Sequence, residues 1–261
     1  MLKMKKSPMM SGRRDVFTVE SDFDDWVTGD KFVGGGDTGA VAVEADIVGG
    51  QVDMQTTALD NDETWLHTTQ EVFRFNHLRP IVGEAYLYYT EVTADTCNLF
   101  VGFMNAMATT PMQDAGLGPK ADFCGFGFFR VDVVNAAGYD GVTWNTIVDN
   151  LTDFVQRIQT LRLVDAGPGH NLTGEKVDAD EDTLYRFHME CNPVCLKSAT
   201  VANFDFDFWL NDRHVAHENC DMTIANFTEM EFGVAIHAGD GQILHAYVDY
   251  LSASQIRIPQ I

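Results

Sequence analysis

Apolar and polar residues alternate one by one along much of this chain, wherever aromatic and β-branched side chains are dense. The clearest stretches are Asp205-Phe206-Asp207-Phe208-Trp209-Leu210 and Tyr185-Arg186-Phe187-His188-Met189. A period of two belongs to a strand, and a strand with one apolar and one polar face belongs to a sheet packed on one side. Strand-like runs cover residues 40–47, 51–57, 64–68, 72–75, 82–93, 98–104, 123–132, 142–148, 155–163, 184–191, 204–210, 229–236 and 245–256. They are punctuated by Gly, Asn, Asp and Pro, and Asn211-Asp212 reads as a hairpin turn. Only 105–108 and 150–157 read as helices, both short. Parallel α/β strands would be unbroken apolar runs separated by helices, so the expected class is all-β, a two-sheet antiparallel jelly-roll sandwich.

At 261 residues and 45% hydrophobic, the chain can bury a sizeable core. Acidic residues outnumber basic ones 39 to 17, a formal net charge of −22, which excludes a nucleic-acid binder working by phosphate neutralisation. No apolar run reaches the roughly 18 residues of a membrane-spanning helix, and the N-terminus lacks the apolar core of a signal peptide. The expectation is a soluble protein with neither a nucleic-acid nor a membrane partner. Five cysteines (Cys97, Cys124, Cys191, Cys195, Cys220) read as unpaired thiols of a reducing compartment, and the Cys191–Cys195 spacing does not make a zinc site. The N-x-T triplets at Asn150, Asn171 and Asn226 read as chance.

Lys3, Lys5, Lys6, Arg13 and Arg14 fall within the first 14 residues, which contain no acid. With Gly34-Gly35-Gly36 and Gly39 beyond, residues 1–36 read as a basic extended arm and glycine-rich hinge, and residues 37–261 as the sandwich domain. Long loops are expected at 109–122 and 164–182.

Chemistry is sparse. Glu20-Ser21-Asp22-Phe23-Asp24 alternates acids but lacks the E-x-D-x-x-E spacing of laminarinase-like glycoside hydrolases, which leaves hydrolysis as a third reading. Glu190, Asp205 and Asp207 read as solvated strand acids. Asp60-Asn61-Asp62-Glu63 packs three carboxylates into one turn, so Asp60, Asp62 and Glu63 are candidate calcium ligands; no other cofactor is expected. His214 and His217, three apart in a strand, are expected on opposite faces. Trp65, Trp144 and Trp209 read as core. A carbohydrate-binding module, requiring a concave face with exposed aromatics, is the alternative to a purely structural role.

Six strings carry a family resemblance: DNDETWLHTTQEVFRF (60–75), RPIVGEAYLYYTEV (79–92), NLFVGFMNA (98–106), QDAGLGPKADFCGFGFFRVD (113–132), TEMEFGVAIHAGDG (228–241) and VDYLSASQIR (248–257). Together they resemble phage and prophage virion structural proteins with a concanavalin A-like, LamG-type jelly roll. The resemblance implies a non-enzymatic capsid decoration or head-fibre-like protein, made in the host cytoplasm and carried on the capsid exterior. Its implied partners are the major capsid protein and further copies of itself. On that reading the basic arm (Lys3, Lys5, Lys6, Arg13, Arg14) and the loop residues Gln113, Asp114 and Lys120 are the candidate capsid contacts.

Overall fold

The computed structural model describes residues 3–6, 15–24, 29–43, 50–69, 73–74, 79–91, 98–105, 107, 111–112, 123–129, 144–149, 157–160, 162–164, 174–176, 179–223, 230–239 and 243–257. Eighteen strands are described and no helix; the two segments expected to be helical are mostly outside these residues. Every strand pairing is antiparallel.

One sheet takes β1 (Lys3–Lys6), β2 (Asp15–Ser21), β4 (Ala40–Val43), β5 (Val52–Gln55), β7 (Ile81–Glu91), β14 (Tyr185–Leu196), β15 (Val201–Leu210), β16 (Arg213–Thr223) and β18 (Leu244–Arg257). Its order is β1-β2-β18-β7-β14-β15-β16, with β5 on β18 and β4 on β5. The facing sheet takes β3 (Phe32–Gly36), β6 (Glu63–Thr68), β8 (Asn98–Met104), β9 (Phe123–Phe129), β10 (Asn145–Asp149), β11 (Arg157–Thr160) and β17 (Glu231–His237). Its order is β11-β10-β9-β8-β17-β6-β3. β12 (Arg162–Val164) and β13 (Gly174–Lys176) form a separate pair.

Between the sheets lies a core of interlocked aromatic rings. Phe126 on β9 sits 5.1 Å from Phe187 on β14 and 5.3 Å, edge-on, from Phe208 on β15. Phe103 meets Phe73 and Phe232, and Trp144 contacts Tyr89, Phe128, Tyr185 and Phe187. Offset and edge-on aromatic pairs contribute about 0.5–1.5 kcal/mol each beyond their buried area. Trp144 is therefore core, as its strand-like setting suggests.

Within residues 1–36, read from sequence as arm and hinge, the structure describes three strands. β2 and β3 belong to the two main sheets, and Phe17, Val19, Phe23 and Phe32 are buried in the common core. Gly34-Gly35-Gly36 is strand rather than hinge, because β3 lies so close to its neighbours that side chains do not fit. A Cβ on Gly35 would sit 2.8 Å from Trp65 Nε1, and one on Gly34 2.7 Å from Val41 Cβ. Lys3, Lys5 and Lys6 likewise lie in β1, hydrogen-bonded to β2, instead of a free arm.

Candidate functional site

The outer face of the seven-stranded sheet is closed among the described residues. Phe100, Met104, Met107, Met112, Phe123 and Ala235 form a second apolar cluster there, with Trp65 packed against it. Two buried carboxylates hold the chain leaving β8 over that cluster: Met107 N donates to Glu231 Oε2 at 2.7 Å and Met112 N to Glu63 Oε2 at 3.3 Å. Beneath them His67 Nδ1 donates to Thr68 O (2.9 Å) and lies 3.3 Å from Glu231 Oε1. Burial pulls the His67 imidazole below its ordinary range, partly offset by that carbonyl, so the ring is neutral.

The turn expected to bind calcium does other work. Asp62 is buried, and Oδ1 accepts from Thr38 N (2.9 Å) and Thr38 Oγ1 (2.8 Å) while Oδ2 accepts from Thr57 N (2.5 Å) and Thr57 Oγ1 (2.8 Å). All four lone-pair directions of the carboxylate are occupied by protein donors. Asp60 is exposed and Glu63 turns to Met112, so the three acids do not converge; among the described residues no group of three or more His, Cys, Asp or Glu is placed to hold a metal. Burial raises the Asp62 pKa, but the bonds from Thr57 and Thr38 outweigh it and hold the carboxyl below its usual range. The motif is a pin between two loops.

Of the candidate capsid contacts, Lys3, Lys5 and Lys6 stand in β1, whereas Arg13, Arg14, Gln113, Asp114 and Lys120 lie outside the described residues. Cys124 and Cys191 are buried and Cys195 is exposed.

The open chemistry is on the outer face of the nine-stranded sheet, assembled by cross-strand register. Glu84 on β7 pairs with His188 on β14, His188 with Trp209 on β15, and Trp209 with His214 on β16, giving one row across four strands. The next row sets Glu190 beside Asp207 and Asp207 beside His217. Trp209, read from sequence as core, is only half-buried and points outward. A groove of about 250 Å³ opens beside it, lined by Glu84, Tyr86, Arg186, His188, Glu190 and Asp212 together with Trp209 and Phe187.

His188 is the hub of that groove. Its Nδ1 lies 3.0 Å from Glu84 Oε1 and its Nε2 3.2 Å from Glu190 Oε1, so the imidazolium is the form that satisfies both nitrogens. The hydrogen bond to Glu84 raises its pKa most, burial opposes the rise, and Glu190 adds to it. Its ring meets Trp209 edge-on at 4.9 Å, and His214 meets the same indole at 5.0 Å. On the far wall the Arg186 guanidinium lies 5.5 Å above the Tyr86 ring, which packs on Tyr250 at 5.1 Å.

Two bulges build this face, and both escape sequence reading. Val215 is an extra residue opposite the Phe208–Trp209 step, so Val215 and Ala216 are both buried. His214 and His217 therefore share the outer face, and both donate to Asp207 Oδ1 at 2.9 Å. This corrects the expectation that an offset of three separates them. Asp249 is the extra residue in β18, bringing Tyr247 and Tyr250 onto their β7 partners Tyr88 and Tyr86.

No protein-family model matches the chain, and no curated protein matches it. Solved structures do share its architecture. A protein of unknown function from Shewanella oneidensis MR-1 superposes with a TM-score of 0.57 at 8% identity, over 97% of this chain and 92% of that one. The carbohydrate recognition domain of Emp47p gives 0.51 at 9%, over 90% and 93%. Peanut lectin, in complex with a nine-residue peptide, gives 0.51 at 12%, over 94% and 99%. At these identities the likeness is one of fold: the chain is a concanavalin A-like, legume-lectin-like β-sandwich.

Proposed function

We propose that this protein is a non-enzymatic carbohydrate-binding sandwich whose site is the Trp209 groove. The observation that carries the reading is a half-exposed indole standing beside carboxylates, an imidazole and a guanidinium in one open groove. A pyranose ring offers an apolar C–H face for an indole and a rim of hydroxyls for charged acceptors and donors, and this site supplies both. The groove is smaller than the roughly 300–1,000 Å³ of drug-sized pockets, a scale suited to a single sugar ring. The lectin and carbohydrate-recognition folds that resemble the chain add support at the level of architecture. Binding is favoured over hydrolysis because Glu84 and Glu190 each give one oxygen to the His188 set between them, so a cation stands between the two carboxylates where a retaining or inverting pair needs the scissile bond.

The setting we propose is the outer surface of a virion, with the major capsid protein as partner and several copies assembled together. That setting rests on the resemblance of the strings between residues 60 and 257 alone, and the sugar reading on the groove. Co-sedimentation with capsids lacking the protein tests the setting, and failure of the full chain to bind would overturn it. The groove is tested by a glycan array on wild type and Trp209→Ala. The expected result is binding by the wild type that the variant loses while keeping its far-UV spectrum and melting temperature; equal binding by both would overturn the site.

A further inference from the structure

The polar lane beside Trp209 does not end at the groove. On the β16 side of the indole, His214 and His217 converge on Asp207, His217 Nε2 lies 3.6 Å from Asp205 Oδ1, and Asn219 Nδ2 donates to Asp205 Oδ1. These side chains are open to water: His214 is 39% exposed and His217 36%. They are also mutually oriented, because each carboxylate fixes which ring nitrogen carries a proton and leaves the imidazole held in place. Trp209 is shared by the two halves, with His188 on its β14 side and His214 on its β16 side. Neighbouring strands are about 4.8 Å apart, so the row from Glu84 to His214 spans three strand spacings, roughly 14 Å. A single sugar ring does not reach across it.

Resting on the sugar reading above, we infer that the site takes an uncharged oligosaccharide laid across the strands, with one residue in the Glu84–Glu190 groove, the chain passing over Trp209, and a second subsite at Asp207, His214 and His217. The exclusion of acidic sugars follows from the charges that face the ligand. Glu84, Glu190, Asp212, Asp205 and Asp207 border the path, and the guanidinium of Arg186 is already 3.4 Å from Asp212. A uronate would give up its hydration to sit among carboxylates on a chain of net charge −22, whereas a hydroxyl donates to the same oxygens. The two subsites act in tandem, so the second sugar binds as if at high local concentration and the gain appears only in chains long enough to reach both.

The test titrates isotope-labelled full-length protein with neutral gluco-, manno- and galacto-oligosaccharides of one to four residues and with the matching uronates, following amide shifts. For the sugar that binds, the longest neutral chain is expected to bind at least about tenfold more tightly than its monosaccharide, and the uronate chain at least about tenfold more weakly than its neutral match. His217→Ala, which leaves His188 and His214 against Trp209, is expected to abolish the gain with length while leaving monosaccharide affinity within about twofold. Should that change unfold the chain, His217→Gln carries the same expectation. A length gain that survives in the variant, or uronates binding as well as neutral chains, overturns the inference and leaves the groove reading standing. Absence of binding by every sugar overturns both.

Discussion

The imidazole of His188 and the indole of Trp209 are direct cross-strand partners, 4.9 Å apart with their planes at 74°. Glu84 and Glu190 couple the charge state of His188 to the paired strands, and the ring they hold packs on the side chain that forms the binding platform.

That coupling makes stability depend on pH in a definite direction. The folded pKa of His188 lies above its ordinary value of 6.5. Its contribution is therefore fully present below about 6.5 and is lost as pH rises through the folded value. Melting temperatures of wild type and His188→Gln, measured from about pH 5.5 to 8.5, are expected to converge as pH rises through this window. A difference between the two that stays constant across it would contradict the assignment.

Asp62 has the opposite sign. Its folded pKa is held below 3.8, so its contribution is present above about 3.8 and is lost as pH falls through the folded value. In Asp62→Asn one oxygen replaces two and an amide faces the Thr38 and Thr57 donors. The expected cost at neutral pH is about 2 kcal/mol, read by urea unfolding. Calcium is expected to leave the melting temperature of either protein unchanged, and a rise with calcium in wild type alone would restore the metal reading of this turn.

Asp249 is a carboxylate the fold tolerates at a cost. Burial raises its pKa most, and Asp22 and Asp24 add repulsion. For an acid with a raised folded pKa, stability is lost as pH climbs from about 3.8 through that value. Asp249→Asn is expected to raise the melting temperature at pH 7, with the increment vanishing in acid; a variant less stable than wild type at pH 7 would refute this.

Phe126 joins the two sheets through Phe187 and Phe208 and is fully buried. Phe126→Ala is expected to cost about 3–5 kcal/mol by chemical denaturation, and a cost below about 1 kcal/mol would mean the sheets are not held together there.

Much of the fold was legible in the chain, because alternation reports a local property. A strand packed on one side must alternate whatever it packs against, so 204–210 and 184–191 read correctly as strands of an antiparallel sandwich. β2 and β3 were missed because acids and glycines mask their pattern. The glycines are there so that β3 can approach Val41 and Trp65, and the second of these is distant in sequence. Trp209 shows the same limit. Being in a strand is a local fact, but which sheet face a strand turns to water depends on what covers the other face.

By itself, then, the sequence determined the all-β class, the antiparallel pairing and the apolar faces, since each follows from residue type and period alone. Only the tertiary structure decided where the chemistry lies. Among the described residues, Met107 and Met112 pack on one outer face while the Trp209 groove opens on the other, and single extra residues at Val215 and Asp249 shift the phase of β16 and β18 against their partners. A one-residue shift moves a side chain to the opposite face of a sheet, and nothing in a strand's own sequence marks which residue will be the extra one. The convergence of His214 and His217 on Asp207 is therefore a property of pairing, visible only when β15 and β16 lie side by side.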